Sequence, residues 1–236
     1  MIKCIIFFII WITTTFSTYS YHHQFIAITN EEKLFPKQAV VAISHRFNGT
    51  LFKDDGIFGQ NLGANVAYFL RFGLPHKQSL NIQSSNLYNQ FSILYKKSYI
   101  IQNEKIFGLA YSIDRLNLIS STDTTTSLTS FYGTSTKKYD AILNLIYRDY
   151  FSSLQVGAGI SYSLLNDSKV FYEIFTPIKS YKQNFVHVLG LKMMTFGHNF
   201  YFFISNVNEV GAIPASSGAS DMTFHSGFKI ERIFDF

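Results

Sequence analysis

The last thirteen residues, 224–236, constrain the fold more tightly than any other part of the sequence. Alternate positions place Phe224, Ser226, Phe228, Ile230, Arg232, Phe234 and Phe236 on one face, and His225, Gly227, Lys229, Glu231, Ile233 and Asp235 on the other. A two-residue period belongs to a β-strand, whose successive side chains point to opposite faces. An aromatic at the final position, with another two before it, is the pattern of a terminal strand by which outer-membrane barrels are recognised and inserted. Phe234 and Phe236 are therefore the expected insertion signal. An aromatic face of this kind needs an apolar surface to lie against, and the ending predicts that this surface is lipid.

The same alternation recurs along the chain. It predicts strands over 38–47, 63–73, 79–84, 90–97, 105–114, 139–149, 153–165, 170–176, 185–194, 199–206 and 224–236, with 125–133 as the weakest, resting on β-branched and aromatic residues alone. Including that segment gives twelve, the even number expected when both ends of a bacterial barrel lie in the periplasm. Long connections, 48–60, 115–124 and 207–221, then fall on the extracellular side. Short ones, 74–78, 134–138, 166–167 and 195–198, fall on the other. Pro36, Pro75, Pro177 and Pro214 all stand at strand ends or in loops, where a missing N–H harms no ladder. The expected fold is an all-β, transmembrane, antiparallel up-and-down β-barrel of about twelve strands.

No apolar run in residues 21–236 is long enough for a membrane-spanning helix, which needs about 20 residues. A soluble β-sandwich also alternates, but its outward face should carry Lys, Glu, Thr and Ser. Here the polar face holds Gly, Ser, Asn and scattered charges, and the apolar face has Tyr near strand ends. The composition agrees: aromatic residues make up 17% and charged residues 15%, where a soluble domain has roughly 25% charged.

Residues 1–20 read as a secretory signal peptide, with Lys3 as its positive start, an apolar stretch over 5–12 and a small-x-small cleavage site at Thr18-Tyr19-Ser20. Thr13, Thr14 and Thr15 end the apolar run too early for an anchor. The lone cysteine, Cys4, lies inside this segment. Residues 21–37 are expected to be a periplasmic lead-in and 38–236 the barrel. The formal charge of +5 falls to +4 with the loss of Lys3 and is spread along the chain. That gives no basic patch for nucleic acid. The partners expected are outer-membrane lipid and, through the C-terminal strand, the barrel-assembly machinery.

Inward faces are where any function of a barrel would be carried. Arg46, Arg71, Asp114, Asp140, Arg148, Lys229 and Glu231 are predicted to line the lumen. They lend themselves either to ion pairs that hold a filled interior together or to a narrow charge-lined path. Gly157, Gly159, Ser161 and Ser163 leave space on one wall. A narrow channel, or a structural or surface-interaction barrel, is the expected function.

A lipid-modifying Ser/His acyl hydrolase is the alternative. Ser44 and His45 are adjacent in one strand and so point to opposite faces. A base would have to come from elsewhere, with His187 or His198 as candidates. No spacing of His, Asp and Glu suggests a metal site, the His22-His23 pair included, so no cofactor is expected.

The runs Val41-Ala42-Ile43-Ser44-His45-Arg46-Phe47, Gly157-Ala158-Gly159 through Phe175, and His198-Asn199-Phe200 through Val207, with 224–236 closing the chain, carry a family likeness. The sequence resembles an outer-membrane β-barrel family, domain of unknown function 5777, known mainly from Bacteroidota. The resemblance covers roughly residues 38–236 and implies location and fold, with no activity to carry over. The ending departs from the common polar-x-Gly-x-x-aromatic-x-aromatic form by having Glu231 in place of glycine.

Overall fold

The computed structural model describes residues 34–236 apart from 52–55, 57, 87–88, 103–104, 118–121, 150–152, 178–183, 208–218 and 220–221, and apart from the side chains of 101–102, 116–117, 122–123, 153 and 177. The expected signal segment 1–20 lies outside the described residues, as does the lead-in up to residue 33. Twelve strands follow: β1 (Gln38–Phe47), β2 (Ala64–Leu74), β3 (Gln78–Ser85), β4 (Gln90–Gln102), β5 (Lys105–Asn117), β6 (Thr122–Ser135), β7 (Tyr139–Arg148), β8 (Ser153–Leu165), β9 (Ser168–Pro177), β10 (Val186–Thr195), β11 (His198–Ser205) and β12 (His225–Asp235). Each pairs with its neighbours in sequence, and β1 pairs antiparallel with β12, so the sheet closes on itself. A closed ring has no edge strands, which removes the soluble sandwich from consideration and satisfies the backbone inside a bilayer.

The segment with the weakest alternation proves to be the longest strand, with 14 residues in β6. Its outward positions include Thr126 and Ser130 beside Leu128 and Tyr132, so the side-chain signal is diluted, yet the ladder with β5 runs unbroken from Lys105↔Thr134 to Asn117↔Thr122. The expected loop 115–124 is corrected by the same ladder, since Arg115, Leu116 and Asn117 pair with Thr124, Asp123 and Thr122. Once a hairpin leaves the bilayer, backbone hydrogen bonds continue it whatever the side chains' polarity.

Short connections gather at the end that holds Gln38 and Asp235, with turns at 75–77, 136–138, 166–167 and 196–197. Short periplasmic turns are the rule in such barrels, which orients the molecule. Outside, Ile43, Leu70, Ile93, Leu109, Leu145 and Phe202 are 36% to 50% exposed. An apolar band of this extent around a closed ring is a lipid-facing surface.

The inner face is not confined to charges and small residues, as the sequence suggested. A hydrophobic cluster that includes Ile106, Phe131, Ile142, Phe171, Phe175, Val188 and Phe203 fills much of it. Four of its rings sit opposite glycines in direct cross-strand register: Phe131 with Gly108, Phe175 with Gly157, Phe171 with Gly190, and Phe203 with Gly227. A Cβ at Gly157 would lie 2.6 Å from Phe175 Cε1. The space that the sequence left open beside Gly157 is thus taken by the Phe175 ring.

Replacing Gly157 by Val should therefore cost about 2 kcal/mol through overpacking, because the fully buried Phe175 has nowhere to go. Adding Phe175→Ala should remove most of that cost, so that the double variant is more stable than the sum of the two single changes predicts. Urea unfolding of the refolded protein, followed by the band shift on unheated gels, measures this; strict additivity would show that the ring and the glycine do not depend on each other.

Candidate functional site

The lumen holds two polar groupings, one toward each end. Near the short-turn end, Glu231 on β12 accepts hydrogen bonds from Lys229 Nζ (2.6 Å), Tyr201 Oη (2.9 Å) and an Arg71 guanidinium nitrogen (3.3 Å). The ammonium groups of Lys192 and Lys229 sit over the Tyr201 ring at 5.2 Å and 5.3 Å from its centroid. Lys229 also faces the Phe69 ring at 5.3 Å. Cations over aromatic faces recover part of what they lose by leaving water. Alongside, Asp140 accepts from Ser135 Oγ and Ser161 Oγ, each at 2.6 Å, and from Lys169 Nζ at 3.1 Å.

Toward the other end Asp114 is held by hydroxyls. Ser92 Oγ and Ser112 Oγ (2.9 Å) donate to its carboxylate, Ser112 shares a hydrogen bond with Ser127 (2.7 Å), and Gln90 Nε2 donates to Ser92 Oγ (3.0 Å). Arg148 faces the lumen within electrostatic reach of Asp114. Arg46 donates to the Val207 carbonyl (3.1 Å) and lies over the Phe203 ring at 5.3 Å.

All seven charged residues expected on the inner face lie there. Arg71, Lys229 and Glu231 come together, Asp140 stands in the neighbouring group, and Arg46, Asp114 and Arg148 belong to the far end. The sequence reading missed Lys169, Glu173, Lys192 and Tyr201. On β9 and β10 both faces are apolar, with Phe171, Phe175, Val186 and Val188 inward and Tyr172, Ile174 and Leu189 outward, so parity alone did not show which way Lys169, Glu173 and Lys192 point. Register with assigned neighbours supplies the answer, for example Tyr201 opposite both Lys192 and Lys229.

The interior is closed. Arg46, Lys96, Asp114, Asp140, Arg148, Lys169, Glu173, Lys192, Lys229 and Glu231 are all buried, and the Arg71 side chain is 11% exposed. Both mouths are narrowed by chain. At the long-loop end, Leu51 N–H donates to Phe224 O (2.9 Å), Ser226 Oγ to Phe58 O (2.8 Å) and Ala219 N–H to Asn184 O (3.1 Å), while Val207 and Ala219 extend the hydrophobic cluster. At the short-turn end the backbone at Leu34 and Phe35 passes so close to Gly73 that any side chain there would collide with it. Leu34 is buried, and Gln38 joins Phe35 N (3.0 Å) to Asp235 Oδ1 (2.8 Å).

The histidines named for an enzyme lie on the outer wall or at its rim. His45 stacks on Phe228 with centroids 4.7 Å apart, His187 Nδ1 bonds Tyr172 Oη at 2.6 Å, and His198 stacks on Phe200. Ser44 is buried inside, as strand alternation requires. Among the described residues no three His, Cys, Asp or Glu side chains gather as a metal site.

No family model matches the chain and no curated protein matches it. Solved structures do. KdgM porin aligns with a TM-score of 0.60 at 11% identity, covering 83% of this chain and 99% of that one. KdgM porin in complex with disordered oligogalacturonate gives 0.58 over the same shares, and NanC porin 0.53 at 10% identity, over 84% and 99%. At such identities the likeness is one of fold, and the fold of this chain is that of outer-membrane porins.

Proposed function

We propose that the protein is an outer-membrane barrel that provides a narrow path for small anions, held shut in the conformation described by its own lumenal side chains. The observation that carries this reading is the charge of the inner face. Arg46, Arg71, Lys96, Arg148, Lys169, Lys192 and Lys229 stand against Asp114, Asp140, Glu173 and Glu231, seven positive against four negative among the described residues. A low-dielectric wall focuses that excess on whatever enters. The terminal strand and the lipid-facing band support placement in the outer membrane, with residues 1–20 as the export signal. Membership of the family of unknown function 5777 rests on the runs 41–47, 157–175 and 198–207 and brings no activity with it.

A second reading, a barrel that serves a structural or surface-binding role, is favoured by the closure of the interior. Reconstitution in planar bilayers separates the two. The channel reading expects small, infrequent openings that prefer chloride to potassium, with Arg46→Ala and Lys229→Ala each lowering that preference about twofold. KdgM porin has been seen with oligogalacturonate, a polyanion, which makes acidic sugars a solute class to include. Cation preference, or silence in both the native protein and Arg46→Ala, would move the conclusion to the second reading. The enzyme alternative has no Ser–His pair in hydrogen-bond contact among the described residues, and acyl hydrolysis lost on changing His45, His187 or His198 would revive it.

A further inference from the structure

The exposed charge of the molecule is distributed unevenly between its two ends. At the short-turn end the turns themselves present Lys37, Lys77, Lys137 and Lys138, all exposed. Three more cations face outward where strands meet those turns: Lys97, Lys105 and Arg232. Against these seven stand Asp167 and Asp235, and in sequence Glu104 in the β4–β5 connection, which lies outside the described residues. The opposite end shows one exposed cation and one exposed anion, Arg115 and Asp149, among the described residues. Its remaining loop sequence adds three lysines and four acids, and Asp123 follows at the start of β6. One end therefore carries about four net positive charges and the other about two negative, leaving aside the residues before Leu34.

Two of the cations are seated on rings at the boundary of the lipid-facing band. Lys97 Nζ lies 5.3 Å from the centroid of Tyr99, and the Arg232 guanidinium 5.2 Å from that of Phe234. A cation held against an aromatic at the edge of an apolar belt stands at the depth of lipid headgroups, where aromatic and basic residues anchor membrane proteins. Its charge is directed sideways toward the lipid, and the turn lysines sit just beyond it.

We propose that this basic rim binds anionic phospholipid headgroups of the periplasmic leaflet. The occupant is chosen by charge complementarity and by place. The cations follow the rim from β12 past β1 to the β6–β7 turn, about two thirds of the ring, rather than forming one flat patch, so they match a shell of phosphodiesters along that arc better than a globular partner. The inference depends on the orientation of the barrel and is independent of whether the lumen conducts.

The test uses the mature chain folded into membranes of equal parts phosphatidylcholine and phosphatidylglycerol, then extracted gently and weighed with its retained lipids by native mass spectrometry. Retained lipid should be enriched about fivefold in phosphatidylglycerol at low salt, as one strongly engaged cation per lipid implies, and should fall toward parity at high salt. Joint replacement Lys37→Gln, Lys77→Gln, Lys137→Gln and Lys138→Gln should remove most of the enrichment while the unheated-gel band shift persists. If that variant does not fold, Lys137→Gln with Lys138→Gln alone should remove about half. Parity in the native protein, enrichment unchanged in a folded variant, or enrichment that survives high salt would each overturn the proposal. So would equal retention of a lipid-free acidic polymer, which would point to a periplasmic partner instead.

Discussion

Deletion of residues 234–236 is expected to leave the protein unassembled, with the heat-modifiable band reduced at least tenfold and the chain recovered from the periplasm or degraded. These residues belong to the seam of the barrel. Asp235 pairs with Gln38 and Phe234 with Ala39, Gln38 Nε2 donates to Asp235 Oδ1 at 2.8 Å, and Phe236 N–H donates to Lys37 O at 2.9 Å. Opening that end leaves strand edges unpaired, and each unsatisfied backbone group in hydrocarbon costs several kcal/mol. The rings contribute little to packing within the chain, since Phe234 is 42% and Phe236 71% exposed. We propose that their effect is exerted at the membrane interface and through recognition by the barrel-assembly machinery. Phe236→Asp separates the two contributions, because it keeps the backbone hydrogen bond and removes the ring. It too should fail to assemble; normal levels in the outer membrane would refute the recognition role while leaving the seam intact.

Glu231→Ala should destabilise the folded barrel by about 3–5 kcal/mol, the range for removing one member of a buried ionic group. Glu231 is the point at which Lys229, Arg71 and Tyr201 converge. It is 1% exposed, and without it Lys229 and Arg71 keep their charge in a closed interior without this counter-ion. Glu231→Gln retains an acceptor for Tyr201 but not the charge, so its cost should fall between those of the native protein and Glu231→Ala. Urea titration of vesicle-folded protein, with the unheated-gel band as readout, orders the three. A loss below 1 kcal/mol for Glu231→Ala would mean that water or other carboxylates compensate, and that the cluster does not hold the lumen shut. The glycine expected at this position in common barrel endings is thus replaced by the residue around which the short-turn end of the lumen is built.

The barrel was legible because a strand that faces lipid on one side and a polar interior on the other must alternate, and alternation survives in sequence. The terminal strand, eleven of the twelve strands and the inward direction of Arg46, Arg71, Asp114, Asp140, Arg148, Lys229 and Glu231 followed from that single period, whereas the strand over 125–133 rested on β-branched and aromatic residues and on the even strand number of such barrels. Where both faces are apolar the period carries no direction. For this reason Lys169, Glu173 and Lys192 were not assigned and the filling of the lumen by Phe131, Phe171, Phe175 and Phe203 was not foreseen. Those rings need glycines on the neighbouring strand, at positions far from them in sequence, and only the pairing register brings the two together. Whether charges on one wall meet ions or hydroxyls on another is likewise fixed by closure of the sheet: Glu231 and Arg71 are 160 residues apart in the chain and 3.3 Å apart in the barrel. The sequence by itself determined which side of each well-patterned strand faces lipid, because that is a local property of the chain. What stands across the lumen from it was decided by the tertiary structure, because no local pattern encodes which distant strands the closed ring brings face to face.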